Sequence, residues 1–188
     1  LARTRREGYN VEGLMVAQWA MTSADSQAMS IALQLAAQDE FQLAGTTMQH
    51  IPPVPLRLAR IIHERHGAGL RKFVRAQYNL TQAEMKRRGI DRVPLSRGMA
   101  ISSEYAPQRS GIGDVTLTPL NSFSVARHIA VGFSGSGLVE GFEPVVIHAE
   151  VPVSRILSMP GTGFGCLSEY EMVVLGGPGR VFLEVRQP

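Results

Sequence analysis

The sequence has few of the features that mark disulfide-rich, membrane-spanning or disordered proteins. Its one cysteine, Cys166, excludes an internal disulfide and fits either a reducing compartment or a secreted protein without bridges. No apolar run is long enough to cross a membrane, and the first residues lack the apolar core of a signal peptide. Because the chain begins with Leu1, we expect a processed product or a piece of a longer protein. Its location stays open between secretion, delivery into a target-cell cytoplasm and an intracellular life.

The composition is that of an ordinary folded chain. Of the 188 residues, 44% are hydrophobic and 19% charged, enough to bury a core and too apolar for disorder. The net charge of +3 favours anionic ligands or partners without requiring nucleic acid. We expect a single domain over residues 1–188, with a helical layer in residues 1–90 and a β-rich core in residues 91–188.

The first half has helical periodicity. Apolar residues recur every three to four positions from Ala28 to Leu35, residues 22–25 offer an N-terminal cap, and Gly45 can end this helix. After a break at three prolines, three further helical segments are predicted. They begin at Leu56, after Gly69 and at the capping box Thr81 to Glu84, and the last runs to Gly89.

The second half has short β-like runs separated by glycine and proline. Strands are predicted over residues 93–103, 145–151, 155–157, 169–175 and 180–186, and a short helical run over 125–131. Glycines in residues 176–179 predict a hairpin between the last two strands. Helices followed by strands indicate an α+β fold.

Three pieces of the β-rich half are polar where a buried strand would be apolar. Arg97 lies mid-strand beside Gly98, a pairing that suits an anionic ligand close to the backbone but also fits an edge strand. Ser122 and Ser124 share a face if their segment is extended, although serine often caps helices. Each piece taken alone favours the structural interpretation.

The third piece is a carboxylate pair at Glu169 and Glu171. Strand alternation would point both side chains to one face, with Cβ atoms roughly 6 to 7 Å apart. That spacing suits one reacting centre served by two carboxylates with different roles. A solvated strand end is the structural alternative.

Together these pieces resemble the Arg-Ser-Glu class of mono-ADP-ribosyltransferases, which includes the cholera-toxin-like and binary-toxin-like enzymes. In order they are Leu95-Ser96-Arg97-Gly98, Asn121-Ser122-Phe123-Ser124 and Glu169-Tyr170-Glu171 leading into Met172-Val173-Val174-Leu175. The resemblance covers residues 92–186. It implies N-terminal helices packed on two small, mostly antiparallel sheets that enclose an NAD cleft, in an enzyme that is often a toxin or effector.

The resemblance also implies roles in binding and cleaving NAD. Arg97 would hold the NAD phosphates and the backbone of Gly98 the nicotinamide amide. Ser122 would orient Glu171, which would bind the 2′-hydroxyl of the nicotinamide ribose. Phe133 would stack on nicotinamide, with Phe142 as the alternative. NAD is a substrate here, and no metal is implied.

The acceptor side follows from Glu169. In this class Glu-x-Glu goes with arginine as the acceptor, so a protein arginine is the expected target and nucleic acid is disfavoured. Residues 158–168 correspond to the acceptor-recognition loop, with Phe164 as a possible contact to a protein. Two alternatives stay open: an NAD glycohydrolase, in which water replaces the acceptor, and a non-catalytic binding or structural module of the same fold.

Other motifs are better explained structurally. Residues 161–165 follow Pro160 and lead into a strand, whereas a glycine-rich dinucleotide fingerprint opens a helix. His63 and His66 have no partner ligands in a metal-binding pattern. The basic residues between 57 and 88 fit a solvated helix face, or a surface that guides an acidic partner.

Overall fold

The predicted α+β fold is confirmed in a computed structural model that describes Trp19 and residues 27–46, 48, 51–136, 139–163 and 165–186. The elements are, in order, α1 (Ala28–Phe41), α2 (Pro53–Arg88), β1 (Arg92–Ser102), β2 (Gly111–Ser124), α3 (Arg127–Gly135), β3 (Phe142–Pro152), a 3-10 turn (Val153–Arg155), β4 (Ile156–Ser158) and β5 (Glu171–Val185). The predicted cap in residues 22–25 lies outside the described residues.

One helix replaces the three segments predicted after the prolines, and that prediction was wrong. α2 runs unbroken for 36 residues, because no proline follows Pro55 within it and interior glycine costs a helix only about 1 kcal/mol. Gly67 is buried against the side chains of His63 and Arg71. The hydroxyl of Thr81 bonds to that of Thr162 at 2.7 Å instead of capping a helix.

The helix ends follow backbone geometry. α1 ends at Phe41, ahead of the predicted Gly45, because Gln42 adopts the left-handed conformation with φ 50° and its N–H bonds to the carbonyl of Gln38. Gly89 ends α2 in the same region, with φ 66°. At the start of α2, Pro53 lies in the first turn, where its missing N–H costs no hydrogen bond.

All strand pairings are antiparallel, in the order β2-β1-β3-β5-β4 with an additional pairing of β2 to β5. The β2–β5 ladder has two parts separated by a register shift between Leu117 and Leu120. One part pairs residues 120–124 of β2 with 175–171 of β5, and the other pairs 111–117 with 183–177. Both parts belong to one five-stranded sheet, whereas the sequence predicted two small sheets.

The predicted hairpin between residues 169–175 and 180–186 is wrong, because β5 is one strand of 15 residues. A Cβ at Gly176 would overlap the carbonyl oxygen of Thr118 in β2, and Gly177 has φ 115°. The glycines therefore allow β2 and β5 to approach closely at the register shift, rather than forming a turn.

Two apolar clusters hold the layers together, and β5 contributes to both. Val173 and Leu175 pack with α1, α2 and Trp19 in the first cluster, called here the helix-covered cluster. Met172 and Val174 face the second cluster, which lies among the strands. This division follows from the two-residue period of a strand. Glu171 opens the same alternation at the edge of the helix-covered cluster.

Among the described residues, no helix combines the length and apolarity that a membrane-crossing segment needs.

Candidate active site

Glu171 is a buried carboxylate at the first position of β5. Its exposed fraction is 4%, and it follows the alternation that places Val173 and Leu175 against the helices. A carboxylate at such a site requires hydrogen-bond donors, because an unpaired buried charge costs several kcal/mol.

Three donors surround the Glu171 carboxylate. The Ser122 hydroxyl and the Trp19 indole Nε1, at 2.9 Å, both donate to Oε1. The backbone N–H of Cys166 donates to Oε2 at 2.7 Å. All three donors are uncharged, and no arginine or lysine among the described residues forms an ion pair with Glu171. Within the described part of the chain, the carboxylate is thus held in one orientation by uncharged groups.

The two serines of β2 hold different parts of this site. Ser122 contacts the carboxylate of Glu171, whereas the Ser124 hydroxyl donates to the backbone carbonyl of Glu169 at 2.7 Å and accepts from the N–H of Ala126 at 3.0 Å. The strand alternation predicted from the sequence places both hydroxyls toward the start of β5. One serine orients the side chain, and the other anchors the turn before it.

Arg97 extends the chain of contacts to β1. Its Nη1 donates to the backbone carbonyl of Ser122 at 2.7 Å, and its side chain is partly buried. The structure thus brings Arg97, Ser122 and Glu171 together from three strands, although 74 positions separate the first from the last. Those three residues are the ones singled out by the sequence motifs.

Glu169 does not lie in a strand, so the geometry predicted for the carboxylate pair was wrong. β5 begins at Glu171, and Tyr170 has φ 49°, a left-handed conformation that is uncommon for a residue other than glycine. The two carboxylates are still close enough to interact. Burial, and then the negative charge of Glu171, raise the pKa of the Glu169 carboxyl above its ordinary value.

Gly98 packs against α3, and Phe133 is part of that helix. A Cβ at Gly98 would overlap the carbonyl oxygen of Ala130, so the helix backbone occupies the space for which the sequence suggested a ligand. Phe133 lies on the same helix and is 50% exposed. The contacts of Gly98 and Phe133 with nicotinamide stay predictions, and the reserve candidate, Phe142, is an exposed residue at the start of β3.

The predicted acceptor loop is described in part. Phe164 lies outside the described residues. Cys166 is partly buried, and its thiol lies 3.3 Å from the Ser168 hydroxyl. Its backbone N–H, rather than its side chain, contacts Glu171, so residue type alone gave no signal of this role.

Trp19 was also missed by the sequence interpretation. It lies 152 positions from Glu171, and nothing in the local pattern connects the two. The usable signal was that a buried tryptophan usually finds an acceptor for its N–H, and that the chain contains a single tryptophan.

A second series of hydrogen bonds starts beside the one that links Arg97, Ser122 and Glu171. Ser96, next to Arg97, bonds through its hydroxyl to His148 Nδ1 at 2.9 Å, and His148 Nε2 lies 2.8 Å from Glu184. Arg127, at the start of α3, donates to Glu184 at 2.5 Å. This chain ties α3 to the strands. It gives Ser96 a structural role.

Among the described residues, no three His, Cys, Asp or Glu side chains gather into a potential metal site. That the reaction needs no metal stays a prediction from the sequence.

Comparison with known proteins gives little beyond these residues. No protein-family model matches the chain, and no curated protein is similar to it in sequence. One solved structure similar to it is Vis toxin, an ADP-ribosyltransferase from Vibrio splendidus, with 12% identity and a TM-score of 0.34 over 94% of this chain and 78% of that one. A likeness this distant carries no argument about function, which must come from the site.

Proposed function

We propose that this protein is a mono-ADP-ribosyltransferase that transfers ADP-ribose from NAD to a protein arginine and releases nicotinamide. One observation carries the proposal. The Ser122 hydroxyl donates to the buried Glu171 carboxylate while Arg97 donates to the backbone carbonyl of Ser122. The motifs that resemble the Arg-Ser-Glu class thus meet in space.

The chemistry requires a negative charge beside the ribose. The bond between C1′ and the nicotinamide nitrogen breaks, and its electron pair leaves with nicotinamide, whose ring becomes neutral. Positive charge then builds on C1′ and the ring oxygen, as in glycoside hydrolysis. Glu171 supplies a carboxylate that three neutral donors hold in place, and its negative charge stabilises the positive charge on the ribose.

Arg97 is the group we assign to the NAD phosphates. Its guanidinium has five N–H donors in a planar fork, and its Nη1 is held by the carbonyl of Ser122. That contact fixes the guanidinium against Ser122, the residue whose hydroxyl donates to Glu171. The phosphates and the ribose of one ligand would therefore meet groups whose separation is fixed by the pairing of β1, β2 and β5.

Glu169 is the group we assign to the acceptor. Transfer forms a bond from the acceptor nitrogen to C1′ and releases a proton from that nitrogen. A carboxylate with a raised pKa is a better proton acceptor than an ordinary glutamate, and burial together with Glu171 raises the pKa of Glu169. Its negative form would also bind a guanidinium.

The test is to incubate the protein with NAD, with and without agmatine as an arginine analogue, and to measure nicotinamide and ADP-ribosyl-agmatine by mass spectrometry. We expect both products from the intact chain and neither from Glu171→Ala. The matched control Glu104→Ala, in an exposed turn after β1, should match the intact chain.

Each other outcome identifies a rival. Nicotinamide and free ADP-ribose with no labelled agmatine or protein would favour the NAD glycohydrolase. An intact chain that neither cleaves nor binds NAD would overturn the proposal in favour of a non-catalytic module. The role as a toxin or effector is part of the proposal, supported by the motif resemblance, and its test is modification of proteins in a host-cell extract.

A further inference from the structure

The indole of Trp19 lies directly on the proposed catalytic carboxylate. Trp19 is 4% exposed, packs in the helix-covered cluster, and its Nε1 donates to Glu171 Oε1 at 2.9 Å. Indole N–H is a donor only, so this contact cannot reverse its direction. The tryptophan thus helps to define where that oxygen lies.

Counting acceptor sites shows which oxygen remains for a substrate. A carboxylate offers about four lone-pair positions, two on each oxygen. Among the described residues, Ser122 and Trp19 donate to Oε1, whereas only Cys166 donates to Oε2. The remaining acceptor position is therefore on Oε2, which is where a ribose hydroxyl would donate.

Ser122 alone would leave the carboxylate able to rotate about its terminal bond, because glutamate χ3 has a broad minimum. The backbone N–H of Cys166, in the loop before β5, donates to Oε2, whereas the indole of Trp19, in the apolar cluster packed on the helices, donates to Oε1. Donors on both oxygens fix the plane of the carboxylate.

We propose that Trp19 is a positioning residue for Glu171, which orients the carboxylate so that Oε2 faces the ribose. The inference rests on the proposed function. It differs from a purely structural role, in which a buried indole N–H merely finds an available acceptor and its loss costs stability alone.

The experiment uses the fact that the chain contains one tryptophan. Growth of a tryptophan auxotroph on 3-benzothienylalanine replaces only this residue with an isostere in which sulfur takes the place of the N–H. Trp19→Phe is the genetic counterpart. Tyr78→Phe is the matched control, because it removes one aromatic donor, to the carbonyl of Ser154 at 3.2 Å, from the same apolar cluster away from the site.

We expect both Trp19 replacements to lower kcat for nicotinamide release by about 10- to 100-fold, the range for losing a hydrogen bond to a charged group. The KM for NAD should change much less, because Arg97 and the phosphates are untouched. Tyr78→Phe should keep kcat. A second measurement, tryptophan fluorescence, tests the direct contact. Glu171→Gln should shift the fluorescence emission of Trp19, whereas the control Glu104→Gln should not.

The outcomes separate this inference from the proposed function. If the intact chain is active and the benzothienyl protein keeps full kcat, the positioning role is overturned while the proposed function stands. A rise in kcat would overturn it as well, since Trp19 would then obstruct the site. An intact chain that releases no nicotinamide overturns the proposed function and this inference together.

Discussion

Two chains of hydrogen bonds start at neighbouring residues of β1 and end on two different carboxylates. From Arg97 the contacts lead through Ser122 to Glu171. From Ser96 they lead through His148 to Glu184. Adjacent residues of a strand point to opposite faces, so one strand organises both chains.

The carboxylates differ in what surrounds them. Glu184 contacts Arg127 and Arg186, and the bond to Arg127 lowers its pKa below the ordinary value against the opposing effect of burial, with His148 adding to the decrease. Glu171 is held by an indole, a hydroxyl and a backbone amide. The first charge is neutralised and stabilises the fold. The second is kept available for a cationic transition state.

The largest difference should appear between two serines. Ser122→Ala should lower kcat for NAD cleavage by about 100-fold, because the Glu171 carboxylate loses one of the donors that orient it. Ser96→Ala should leave kcat near the intact value and cost about 1 kcal/mol of unfolding free energy, the usual loss for one hydrogen bond. Steady-state kinetics and urea unfolding measure the two effects. Equal kcat values in the two variants would contradict a catalytic role for Ser122 that Ser96 lacks.

Gly98 follows Arg97 in β1 and packs against α3, the helix that also carries Arg127, a partner of Glu184. Gly98→Ala should cost about 2 kcal/mol of unfolding free energy, because a Cβ would displace the α3 backbone at Ala130. The control is Gly132→Ala in the same helix, where a Cβ has open space and alanine should stabilise by about 0.5 to 1 kcal/mol. Unchanged stability in Gly98→Ala would show that α3 does not press on β1.

Glu169 sharpens the comparison within the site. Because its pKa is raised, the ionised form that accepts a proton disappears at a higher pH than for an ordinary glutamate. Transfer to agmatine should therefore be lost on acidification at a higher pH than an ordinary glutamate would give. Glu169→Gln should lower transfer by about 100-fold, the lower end for losing a positioned base, while NAD hydrolysis continues. Parallel loss of both activities in that variant would assign Glu169 to NAD cleavage instead.

Glu184 should show the smallest effect, on stability alone. Because its pKa is lowered in the folded state, its stabilising contribution is complete above the ordinary glutamate pKa and is lost as pH falls through the lowered value. Glu184→Gln should cost about 1 kcal/mol at neutral pH, since the pairs are partly exposed. That cost should shrink on acidification, as urea unfolding at several pH values would show. A cost independent of pH would contradict the ion-pair account.

The sequence predicted what depends on residue type and local period. Helices before strands, the strand around Arg97 and the end of α2 at Gly89 were predicted correctly. Arg97, Ser122 and Glu171 were selected by motif, and they meet through contacts that the strand alternation allows. Their catalytic roles stay predictions.

The errors have physical causes that local patterns do not contain. The turn at Glu169 depends on the positive φ of Tyr170. The helix α2 continues through Gly67 and Gly69 because interior glycine costs a helix only about 1 kcal/mol. The course of β5 through four residues rich in glycine depends on the close approach of β2. Trp19 and the backbone amide of Cys166 reach Glu171 only through the tertiary fold.

The most direct measurement exchanges the two carboxylates for amides, one at a time. Nicotinamide release from NAD is compared between Glu171→Gln and Glu184→Gln, with folding of both checked by circular dichroism. Our account predicts a loss of at least about 100-fold in kcat for Glu171→Gln and little change for Glu184→Gln. Equal activity in the two variants, or an intact chain that releases no nicotinamide, would contradict it.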